Sequence, residues 1–86
     1  MASVAEVKSA IDAALEQVRE SQEAVKVANE KLAEAQESLA VAVEGSGNEA
    51  VESARAALAQ AAQELEDCLA ATIAATEQAE SYVATL

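Results

Sequence analysis

The residues of this chain that could carry chemistry are a lone thiol, Cys68, and a row of carboxylates. The carboxylates recur every seven residues at Glu16, Glu23, Glu30, Glu37 and Glu44, with Ser9 one repeat earlier. Paired acids can shuttle protons or hold a divalent cation, but a helical di-metal centre needs inward carboxylates joined by histidine. The chain has no histidine. A seven-residue spacing puts the whole row along one edge of a helix, where it reads as a solvated face. No glycine-rich loop follows a strand to cradle phosphate, and no cluster of nitrogen and sulfur ligands is present. The expectation is a protein that is not an enzyme and takes no cofactor, no metal and no small-molecule substrate.

Sixteen acids against five bases give a formal charge of −11. Such a balance repels nucleic acid, whose binding depends on neutralising phosphates, and repels anionic membrane surfaces. No run approaches the ~18 apolar residues of a membrane span. The opening Met-Ala-Ser-Val-Ala-Glu lacks the basic and then apolar regions of a signal peptide, and an unpaired cysteine suits a reducing compartment. The expected location is cytoplasmic, the alternative being export without a cleaved signal peptide.

The elements that carry these residues are read from alanine, glycine and proline. With 24 alanines, two glycines and no proline, the composition favours helix throughout. Ser3 and Glu6 have the spacing of a capping box, so a first helix is expected over about 3–44. Both glycines fall in the turn Gly45, Ser46, Gly47, Asn48. Gly45 suits the left-handed residue that ends a helix. Ser46, three residues before Glu49, repeats the capping-box spacing, with Asn48 as the alternative cap, and a second helix is expected over about 49–84. The fold class is therefore all-α: one domain, 1–86, an antiparallel two-helix hairpin resembling an alanine-rich coiled coil.

Large apolar residues recur by sevens on the first helix at Val4, Ile11, Val18, Val25, Leu32 and Leu39, and on the second at Val51, Leu58 and Leu65. These are assigned to the hairpin seam. The second seam column is placed three residues further on, through Ala14, Ala28 and Ala35 on one helix and Cys68 and Tyr82 on the other. Folding the chain so that facing residues have numbers summing to 93 pairs large with small: Leu39 with Ala54, Leu32 with Ala61, Val25 with Cys68, Ile11 with Tyr82. The same register sets Lys31 near Glu64. In this position Cys68 is a small apolar filler. The seam is expected to weaken towards the open end, where Ser21 faces Thr72 and Ala14 faces Ala79.

Leu15, Leu69, Ile73, Thr76 and Val83 are left outside that seam. Either the second helix drifts from its seven-residue period and rotates them into the seam, or they form a docking patch. The docking patch is adopted as the expectation. It would serve a homodimer, two hairpins making a four-helix bundle, or another helical protein.

The turn Gly45-Ser46-Gly47-Asn48-Glu49 and the tail Ala79-Glu80-Ser81-Tyr82-Val83-Ala84-Thr85-Leu86 resemble those of short actinobacterial helical-hairpin proteins. In architecture the chain is also similar to the WXG-type hairpins exported by type VII secretion systems as leaderless helical dimers. It departs from them at the turn, which lacks tryptophan, and at Leu86, which stands where an acid would follow Tyr82. The resemblance implies a hairpin that acts by binding: a non-catalytic, self-associating interaction protein, or alternatively a leaderless secreted substrate or partner of a type VII-like system.

Overall fold

In a computed structural model of the chain, residues 2–45 and 47–86 are described. Two helices account for almost all of them: α1, Val4–Ala42, and α2, Glu49–Ala84. They pack against each other as an all-α hairpin 64 Å long and 18 by 15 Å across. Among the described residues there is no strand.

Local chemistry sets the ends of both helices. The Ser3 hydroxyl accepts the Glu6 amide at 3.1 Å and so satisfies one of the free donors of the first turn of α1. At the other end α1 stops at Ala42, two residues short of expectation. Val43 donates its amide back to the Leu39 carbonyl at 3.1 Å, and Gly45 adopts φ +81, which favours glycine. Asn48 caps α2, its Oδ1 accepting from the amides of Ala50 at 2.8 Å and Val51 at 3.4 Å. Glu49 and Glu52 then place negative charge at the positive end of the helix dipole. Ser46, the other expected cap, lies outside the described residues.

The seam differs from the expected one. Most of the large column holds its place, with Ile11, Val18, Val25, Leu32 and Leu39 half-buried on α1, and Val51, Leu58, Leu65, Thr72 and Ala79 half-buried on α2, while Val4, in the first turn of α1, is 52% exposed and outside the seam. The second column, however, runs four residues further on, not three. On α1 and its C-cap it is Lys8, Leu15, Gln22, Asn29, Gln36 and Val43, and on α2 Ala62, Leu69, Thr76 and Val83. Leu15, 7% exposed, is the only buried residue among those described. Cys68 is exposed and Tyr82 is 53% exposed, so neither fills the seam.

The choice between the two columns follows from side-chain size. Seen down a helix, a residue three on lies about 60° to one side of its reference and a residue four on about 40° to the other. Either column can share a seam with the large one. The column four on carries Leu15, Val43, Leu69 and Val83, and at ~25 cal/mol per Å² these offset more than a row of alanines can.

The register shifts with the column. Gln22 Nε2 donates to Thr72 Oγ1 at 3.2 Å across the seam, so facing residues have numbers summing to 94. Val25 then stands opposite Leu69 and Asn29 opposite Leu65, and these four residues line one groove between the helices. Leu15 stands opposite Ala79 and Ile11 opposite Val83. The expected pairings of Val25 with Cys68 and Ile11 with Tyr82 are replaced. Lys31 contacts Glu34 at 3.3 Å, not Glu64.

The expected weakening towards the open end is also reversed. Leu15 is buried there, and the two side-chain hydrogen bonds between α1 and α2 among the described residues, Gln22 to Thr72 and Arg19 to Glu80, lie in the same half. Nearer the turn, Asn29 and Gln36 dilute the seam with amides.

Candidate interaction surface

Of the five residues expected to form a docking patch, four belong to the seam. Leu15 is buried, and Leu69, Thr76 and Val83 are half-buried against α1. Their absorption is the arrangement in which the stripe rotates into the seam. Ile73 alone stays outside, 44% exposed. It sits between Glu66 and Glu80, one helical repeat from each, and makes no patch.

The two sides of the hairpin differ in charge. Arg19 Nη2 reaches Glu80 Oε1 at 3.2 Å. Each of these follows a seam residue by one, Val18 and Ala79, so the columns one position past the large column share one side of the hairpin. That side is charged, carrying Asp12, Arg19 and Lys26 from α1 and Glu52, Glu66 and Glu80 from α2.

The columns three positions past the large column flank the seam on the opposite side. On α1 they are Val7, Ala14, Ser21, Ala28, Ala35 and Ala42. On α2 they are Ala54, Ala61, Cys68, Ala75 and Tyr82. None is charged, in a chain of which 24% is charged. All but Val7 and Ala61, which are half-buried, are exposed. A seam between two helices uses a narrow stripe of each, whereas a helix in the core of a bundle presents about three columns of seven. Each helix here has three such uncharged columns near the seam, apart from Lys8 and Arg55, and the hairpin covers two. Sequence alone assigns this face to the seam; the signal that it is something else is a run of uncharged positions wider than one partner helix needs.

Thr72, Thr76 and Thr85 turn their hydroxyls back onto the carbonyls of Leu69, Thr72 and Tyr82. Among the described residues no group of three acids, cysteines or histidines is placed to hold a metal ion, and no helix is long and apolar enough to cross a membrane. No protein-family model matches the chain, and neither a curated protein nor a solved structure matches it.

Proposed function

We propose that the chain is a non-catalytic helical interaction module, a hairpin that self-associates and offers its helical surface to a protein partner. One observation carries this reading: an uncharged face runs along both helices beside a seam that buries a single one of the described residues. A chain of this length needs more burial than that to offset the entropy of ordering two long helices. A second helical pair laid on the uncharged face supplies it. The non-catalytic reading rests on the lack of histidine and on carboxylates that stand in solvent.

Sedimentation velocity across the micromolar range tests this directly. The wild-type chain is expected to sediment as more than the 8.8 kDa of one hairpin. Ala35→Glu, on the uncharged face, should return it to a single hairpin with its helical circular dichroism retained. Ala33→Glu, on the charged side of the same helix, should leave the assembly intact. A single hairpin for the wild type throughout would sink the self-association.

A further inference from the structure

We propose that the occupant of the uncharged face is a second copy whose two-fold axis runs parallel to the helices, so that both turns lie at the same end and α1 of each copy lies on α2 of the other. The proposal rests on the self-association above and adds the geometry. The face extends along a molecule 64 Å long and 18 Å wide, ample for the ~800 Å² per partner of a standard stable interface.

Two hairpins meeting face to face have their two-fold axis in the plane between them, either along the helices or across them. Both choices make every neighbouring pair of helices antiparallel. What separates them is the charge at the rims.

Immediately outside the uncharged columns, three residues further round each helix, only two positions are charged: Lys31 on α1 and Glu64 on α2. The hairpin register sets them within one residue of the same level. An axis along the helices therefore brings Lys31 beside Glu64 of the partner subunit, and does so twice. An axis across the helices at mid-length, near residue 24 of α1 and residue 71 of α2, where the two hairpins overlap most fully, instead sets Lys31 beside Gln17 and Glu64 beside Gln78, and no charges pair.

In a molecule of charge −11, the arrangement that pairs opposite charges at the contact has the advantage. Each side chain has an exposed local contact on its own helix: Lys31, 72% exposed, with Glu34 at 3.3 Å, and Glu64 accepting from Gln60 at 3.2 Å. Solvent-exposed pairs of this kind are worth little and yield to an interfacial partner. The same axis sets the bulky Tyr82 near the level of Ala14 of the partner subunit, large over small.

The experiment uses the native Cys68. Along the helices, Cys68 faces residue 28 of the other copy, within two residues of its level. Across them, with Glu64 beside Gln78, it stands beside residue 74 of the other copy, six residues from its own counterpart and further still from residue 28. Under mild oxidation Ala28→Cys should give a disulfide-linked species of twice the chain mass, while the wild type stays mostly monomeric on a denaturing gel. In sedimentation, Lys31→Glu and Glu64→Lys should each weaken dimerisation roughly five- to tenfold, with the double exchange returning it to within about twofold of wild type.

A wild-type chain that crosslinks through Cys68 as readily as Ala28→Cys would overturn the axis. So would a dimer showing no rescue by the double exchange, and either result leaves self-association standing. A bond formed within one Ala28→Cys chain would place both residues in the seam and overturn the face itself. A chain that never dimerises overturns both proposals.

Discussion

Gln22 of α1 donates its side-chain amide to the hydroxyl of Thr72 of α2 at 3.2 Å, and Thr72 donates its own proton to the Leu69 carbonyl at 2.8 Å. Both side chains stand in seam columns, where an apolar residue would bury more. Their value lies in direction. Apolar contacts tolerate sliding, whereas a hydrogen bond between two specified residues forms in one register only. The apolar columns of the seam are thereby held at the register the bond dictates.

Gln22→Ala and Thr72→Val should accordingly be coupled. A neutral hydrogen bond contributes ~0.5–1.5 kcal/mol net. A double-mutant cycle read by urea denaturation should therefore return a coupling of about 0.5–1 kcal/mol. Additive effects would show that the register is held by something else.

Leu15 is the anchor of the open half, and its truncation should cost more than that of any other leucine. Removing a well-buried leucine costs ~2–5 kcal/mol, and a site on a two-helix seam can partly collapse, so Leu15→Ala should fall near 2–3 kcal/mol. Leu58→Ala, half-buried near the turn, should cost no more than about half as much. The check is the thermal midpoint of each variant by circular dichroism. Equal losses would mean that the tight half of the hairpin is not at its open end.

Helices, turn and caps are legible in the sequence because each is a local matter. Ser3, Gly45 and Asn48 act on backbone within a few residues of themselves. The choice between two seam columns is not legible in the same way, since it depends on what a whole column contributes once both helices are present. Alanine counts as apolar by type yet offers little area, while Gln22, Asn29 and Gln36 count as polar yet have methylenes to pack at a half-open seam. Leu69 and Val83, in the column of Thr76, are the signal in α2 for the correct column. An alanine column that is complete on its own leaves them looking spare. That one choice moves Cys68 and Tyr82 from surface to seam and the four stripe residues from seam to surface.

The turn offers a separate check, independent of the seam. A Cβ added at Gly45, where φ is +81, would have nothing within 4 Å, so Gly45→Ala meets no clash and suffers only the backbone penalty of the left-handed region, ~1 kcal/mol. Asn48→Ala removes the acceptor for two amides of α2 and should cost ~1 kcal/mol as well. Both should lower the urea midpoint by comparable amounts, and Asn48→Asp should recover most of the loss. If Asn48→Ala is neutral, the first turn of α2 is capped by another group.

Cys68 reports on the exposed face without any substitution. Its thiol is open in the single hairpin, so at concentrations low enough to populate one copy a maleimide should label it at nearly the rate seen in urea. A second copy laid on the face at higher concentration should slow labelling at least fivefold as the sedimenting mass rises. The two transitions should share a midpoint, because one equilibrium governs both. Ala35→Glu should hold the fast rate at every concentration. Should the thiol instead react at the unprotected rate while the mass doubles, the second copy must lie on another side of the hairpin, and the charged flank around Arg19 and Glu80 becomes the surface to examine.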